Sequence, residues 1–327
     1  MIVLPMGPAL RTSPLMPLLC LSVCALPAAG PQAAEPAAAQ VAIPSTRDGE
    51  KQPALLYVPP HAGAASQAPP VPLLVFLHSW SARYNESESV NDALAECHRR
   101  GWVFLSPDFR GPNNRPEACG SELAIQDVLD AVAFALGQAR IDRNRIWLLG
   151  CSGGGHMALM MASRAPRLWA AVSAWVPISD LAAWHALSKG AGSRYHAMLE
   201  KCCGGPPSEP AAAHEYRARS PLPRLGRARG LRIAIDAGIR DGHEGSVPIS
   251  HSLLAFNALA KANAAEARML SPAEIEEFTK HARVPQQLKM EVEDEPERKH
   301  RVLFRRTAGR CGSRSSKGVT LSTCMPA

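Results

Sequence analysis

The residues best suited to chemistry are Gly150-Cys151-Ser152-Gly153-Gly154. They follow an apolar run, Ile146–Leu149, and precede a helical pattern over Met157–Ser163. A serine flanked by glycines between a strand and a helix can sit on a sharp, strained turn with its hydroxyl exposed. Small neighbours let the backbone pass close to the following helix. The free N–H groups at the helix start then point at the hydroxyl, and the N–H of Gly153 is positioned to bind an oxyanion. The plain alternative is a glycine-rich strand-to-helix connection. A dinucleotide site would need a glycine where Ser152 stands.

A serine nucleophile needs a base, and the base needs an orienting acid. The strand Ile233-Ala234-Ile235-Asp236-Ala237-Gly238 is followed by Asp241 at its C-terminal end, the edge where open α/β sheets gather ligand chemistry. Asp236 lies inside the strand pattern and Asp180 follows the preceding strand, so both rank below Asp241. A metal hydrolase using Asp241, His243 and Glu244 lacks partner ligands at a known spacing. No cofactor motif is present.

The elements around these residues alternate strand and helix from about Val41, the mark of an α/β layered fold. Expected strands are Ala54–Val58, Leu73–Leu77, Trp102–Ser106, Ala170–Trp175 and Leu231–Ala237; Leu123–Leu136 and Ser250–Ala262 have helical spacing. Continuous apolar runs such as Leu73–Leu77 fit strands buried on both faces. Asp142-Arg143-Asn144 reads as a turn. Residues 182–228, rich in Ala, Gly, Pro and Arg, read as a cap-like insertion near the site.

Three blocks resemble the prolyl-oligopeptidase-type branch of the α/β-hydrolases. They are Leu148 through His156, Ser173 through Asp180, and Gly238 through Pro248, in which Gly238-Ile239-Arg240-Asp241 with Val247-Pro248 downstream looks like an acid-bearing loop with extra residues. The resemblance spans about 70–260. It implies an α/β-hydrolase fold, a mostly parallel sheet with helices on both faces, and a serine hydrolase acting on peptide or ester bonds through an acyl-enzyme. It leaves peptidase and esterase both open. The propeller domain of the large peptidases has no counterpart. The second oxyanion donor belongs after Leu73–Leu77, where His78-Ser79-Trp80-Ser81 stands in place of the His-Gly-Gly many relatives carry; the backbone N–H of Trp80 is assigned to it.

The expected catalytic histidine is absent. No histidine follows His300, which precedes the Val302–Phe304 run. His243 and His251 are too close to Asp241 in sequence, His281 lies in a polar segment, and His156 sits just inside the helix after Ser152. With permitted codons from Arg310 to Ala327, reading from the last base of Arg310 can yield Val-Arg-Val-Thr-Leu-Phe-Glu-Gly-Gly-His-Ala-Val-Asp-Val-His-Ala-Arg. That is an alternating strand followed by a loop with a histidine. The expectation is a frameshift near Arg310, a disrupted last strand, an aberrant tail over 310–327 and impaired catalysis. The rival expectation is a catalytically dead hydrolase-fold binding protein.

The 327 residues are 46% hydrophobic and 20% charged, which suits one large globular core. Arg11 and the apolar run Leu15–Leu26 read as an export signal over 1–30, followed by a flexible leader over 31–40; the run is too short to span a bilayer. Secretion or periplasmic export is expected, with Leu21-Ser22-Val23-Cys24 only a loose lipoprotein box. The net charge of +7 comes from the tail: residues 298–327 hold eight Lys or Arg and no acid, and the rest holds 28 basic and 29 acidic residues. Without interleaved aromatics or a nucleic-acid fold signature, no nucleic-acid partner is expected. Cys97, Cys119, Cys202 and Cys203 are candidates for disulfides of undetermined pairing.

Overall fold

The computed structural model describes residues 37–289, 301–309 and 318–324. The expected signal peptide, most of the leader, His300 and residues 310–317 lie outside them. Nine strands form one sheet: β1 (Ala39–Pro44), β2 (Lys51–Tyr57), β3 (Val71–Leu77), β4 (Val103–Pro107), β5 (Ile141–Cys151), β6 (Ala171–Trp175), β7 (Ile233–Gly238), β8 (Val302–Gly309) and β9 (Gly318–Cys324). Their order is β1-β2-β4-β3-β5-β6-β7-β9-β8. The pairs from β4 through β9 in this order are parallel, and β1, β2 and β8 join antiparallel at the edges.

The helices are α1 (Glu88–Arg100), α2 (Glu122–Gln138), α3 (Gly153–Arg164), α4 (Leu181–Gly190), α5 (Tyr195–Cys203), α6 (Pro210–Arg219), α7 (Ser250–Ala262) and α8 (Pro272–His281). Local chemistry sets several ends. Ser87 accepts from Val90 N at the start of α1, and Ser121 from Ala124 N at the start of α2. Gly101, at φ +64°, closes α1. Ser271 and Glu274 form a capping box on α8.

Alternate residues of the central strands feed two cores. Leu73, Val75 and Leu77 of β3 pack with α2, α3 and α7, whereas Leu74 and Phe76 pack with Val90, Ala93 and Cys97 of α1. Burial on both faces accounts for the unbroken apolar runs. Residues 182–228 hold α4, α5, α6 and a 3₁₀ turn at Leu222–Ala228; α4 to α6 build a third cluster around Trp184, Leu199 and Tyr216. Among the described residues no helix is long and apolar enough to cross a membrane.

Three sequence expectations are corrected. The strand β1 begins at Ala39, inside the expected leader, because its backbone pairs with β2 from Ala39↔Leu56 onward. Asp142-Arg143-Asn144 is a bulged stretch of β5: the register with β3 jumps from Val71↔Ile141 to Leu73↔Ile146, and Asn144 N bonds Asp142 Oδ1 at 2.9 Å. The tail also supplies a last strand rather than a disrupted one. The β-branched stretch Val319-Thr320-Leu321-Ser322-Thr323 pairs with β7 on one side and β8 on the other.

Candidate active site

Ser152 stands between the last residue of β5 and the first of α3, at φ +57° and ψ −115°. No non-glycine residue adopts this backbone without strain, so the surroundings must hold it there. Ser152 N donates to Trp175 O (2.8 Å) and His156 N to Ser152 O (2.9 Å). The glycines around it are required by contact. A Cβ on Gly150 would overlap Gly154 O, one on Gly154 would overlap Leu77 O, and one on Gly155 would stand 2.7 Å from Trp175 O. Gly153 lies against the backbone of Trp80 in the same way. The backbone N of Trp80, assigned from sequence as an oxyanion donor, therefore lies close beside Gly153.

The Trp80 ring is buried, edge-on to Trp184 of α4 (4.7 Å between centroids) and to His156 (6.0 Å). Trp184 Nε1 in turn donates to Ser246 O (2.7 Å) in the loop that follows Asp241. This indole pair joins the loop after β3, helix α4 and the loop that follows Asp241. Its role was not legible in the sequence, since nothing there brings residue 184 to residue 80.

Asp241 lies past the end of β7, at the same sheet rim as Ser152. Gly238 N donates to Asp241 Oδ2 (2.8 Å), and a Cβ on Gly238 would meet Asp241 Oδ1 at 2.7 Å. Burial raises the carboxyl from 3.8 to about 6, against the lowering effect of the Gly238 N–H. Its charge also reaches Cys151, the residue before Ser152. That thiol is exposed at the rim yet pushed up to about 11, first by the surrounding protein and then by Asp241.

The competing acids are occupied otherwise. Asp180 caps α4, accepting from Ala182 N (2.9 Å) and Ala183 N (3.1 Å). Asp236 is buried within β7, paired with Trp175 of β6. Of the metal-hydrolase trio, Glu244 is held by Arg240 and His243 Nε2 bonds Thr279 O (2.8 Å), and among the described residues no group of three such side chains could hold a metal ion.

Several of the described histidines bond elsewhere. His156 Nε2 bonds Arg219 O (2.8 Å), and His251 Nδ1 accepts from Ser179 N (3.2 Å). His78 spans Ser79 O and Asp108 O, and His185 pairs with Glu200. None of these bonds goes to Ser152 or Asp241. The strand β9 runs parallel to β7 with Cys324 opposite Gly238, so the chain leaves β9 at the rim that carries Asp241. The residues that follow are Met325, Pro326 and Ala327.

A mostly parallel sheet with a strained serine between its central strand and the next helix defines an α/β-hydrolase. The prolyl oligopeptidase family (Peptidase_S9) matches residues 91–274, more than half of the chain, and the chain belongs to that family of serine hydrolases. The 2-succinyl-6-hydroxy-2,4-cyclohexadiene-1-carboxylate synthase of Escherichia coli O1:K1 is 33% identical over 108 residues, 32% of this chain and 38% of that protein. Acylaminoacyl peptidase of Pyrococcus horikoshii superposes with a TM-score of 0.55 at 19% identity, over 69% of this chain and 35% of that one. Prolyl oligopeptidase B of Galerina marginata superposes with a TM-score of 0.54 at 18% identity, over 69% and 31%. The chain spans about a third of the length of these relatives.

Proposed function

We propose that this chain is a serine hydrolase of peptide or ester bonds, in which no histidine among the described residues bonds Ser152 or Asp241. Ser152 is the nucleophile, Asp241 the acid, and the backbone N–H groups of Gly153 and Trp80 the oxyanion donors. The observation that carries the proposal is the strained Ser152 backbone at a rim shared with Asp241 and with the end of β9. With a base present, Ser152 Oγ would lose its proton to an imidazole held by Asp241 and attack the carbonyl carbon. The tetrahedral oxyanion would collapse to an acyl-enzyme with loss of the amine or alcohol, and water would then release the acid.

Without the base, the oxyanion donors and binding alone remain, for a residual rate of about 10³–10⁴ over water. A frameshift near Arg310 accounts for the loss. The competing reading, a hydrolase-fold binding protein, is favoured by the hydrogen bonds that engage His78, His156, His185, His243 and His251 elsewhere. A fluorophosphonate probe separates the two. The chain as it stands should label very slowly, and the chain carrying the alternative reading frame after Arg310 should label fast, with the label lost in Ser152→Ala. Failure of the frame-restored chain to label would overturn the hydrolase proposal. Export to the periplasm or medium is part of the same proposal, supported by Arg11 and Leu15–Leu26, and cell fractionation tests it.

A further inference from the structure

Leu181, Trp184, His185 and Ser188 fall at the spacing that turns one face of α4 inward, and all four are buried. Trp184 is the largest of them, and it is engaged at both ends of its ring system. The ring stands edge-on to that of Trp80, with 4.7 Å between centroids and 73° between planes. The Nε1–H donates to Ser246 O at 2.7 Å. Tyr195 of α5 packs against the same ring at 5.0 Å.

Each contact reaches a different part of the site. Trp80 Nε1 is buried with no hydrogen-bond partner, so packing alone fixes that ring. The ring shares its Cα with the backbone N that lies beside Gly153, and Trp80 O accepts from Asn113 N (2.9 Å). On the other side, Ile249 N donates to Asp241 O (3.1 Å) and closes the loop that carries Asp241. Val247 of that loop packs in the cluster that holds Trp80 and Trp184. His243 ties the loop to α8 through Thr279 O, and Trp184 ties it to α4 through Ser246 O.

We infer that Trp184 is a positioning residue, which holds the Trp80 peptide and the Asp241 loop at a fixed separation from the cap. The inference rests on the proposed roles of Trp80 N as oxyanion donor and Asp241 as acid. Its two contacts are chemically separable. The edge-on contact needs an aromatic ring, whereas the Ser246 bond needs the indole N–H. Trp184→Phe keeps the first and removes the second, and Trp184→Leu removes both. Ser246 is exposed, so water can replace the lost donor and Trp184→Phe releases the loop without burying an unpaired carbonyl.

The test uses the full chain labelled with 5-fluorotryptophan and with aspartate carrying ¹³C in its carboxyl group. Trp80→Phe and Asp241→Asn assign the two signals. In the parent, burial places the Asp241 titration at about 6. Trp184→Phe should move it down toward the ordinary carboxylate range as water reaches the loosened loop, with the Trp80 fluorine signal held in place. Trp184→Leu should move both signals, and slow fluorophosphonate labelling of Ser152 should fall several-fold in it. An Asp241 titration unchanged in Trp184→Phe overturns the inference, as does a Trp80 signal unmoved in Trp184→Leu. A purely structural Trp184 would lower the melting temperature of both variants and move neither signal. Should Trp184→Leu fail to fold, the Asp241 titration of Trp184→Phe decides alone. A parent chain that never labels at Ser152 counts against the hydrolase reading, and the two spectroscopic signals still decide the role of Trp184.

Discussion

Gly153 lies against Trp80 with no room for a side chain between them: a Cβ at 153 would overlap Trp80 N and stand 2.9 Å from Trp80 Cβ. Both residues are therefore fixed by main-chain packing before any substrate arrives. Gly153→Ala must push the elbow and the loop after β3 apart, at a cost of about 1–3 kcal/mol. Gly137→Ala is the counterpart. Its Cβ meets nothing within 4 Å inside α2, so it should add roughly 0.5–1 kcal/mol. Urea unfolding of the two variants should give opposite signs.

Asp241 predicts an unusual pH response. Burial raises its carboxyl from 3.8 to about 6, so between those values the folded chain holds a proton that the unfolded chain has lost. Stability from this group is present below pH 3.8 and is lost as pH rises through 6. Asp241→Asn keeps an oxygen for the Gly238 N–H and carries no charge. It should be more stable than the parent by about 1–2 kcal/mol at pH 7, after screening at this half-buried position, and no more stable at pH 3.5. Equal shifts at both pH values would refute the cause assigned here.

His156 and His251 act in the opposite direction. Each is buried and lowered from 6.5 to about 4, chiefly by burial. Between those values the unfolded chain binds protons that the folded chain does not, so stability is full above pH 6.5 and falls as pH drops toward 4. Each contributes up to ~3 kcal/mol. Melting temperature followed from pH 7 to pH 4 should fall, and His251→Gln should flatten that slope while weakening the bond from Ser179 N.

Asp180 and Asp241 can be told apart in the chain with its reading frame restored. Asp180→Ala removes a helix cap and should cost ~1 kcal/mol of stability with ester hydrolysis retained. Asp241→Asn should lower hydrolysis by about 10²–10⁴, because the base loses its orienting partner. The reverse pattern would move the acid to the end of β6.

The sequence by itself determined the turn at Ser152, the loop after β7 and the layered fold. These depend on short-range facts: where glycine is needed beside Ser152, which runs are apolar on both faces, and which residue follows a strand end. It also showed that no histidine follows His300. It did not show the bulge in β5 or the strand made by 318–324, because both are decided by pairing with strands distant in sequence. Asp142-Arg143-Asn144 has turn composition, yet the register with β3 keeps it in the sheet. Only the tertiary structure set Trp184 against Trp80, since that contact depends on how the cap folds over the sheet rim. That packing is long-range and leaves no periodic trace in the residues that make it.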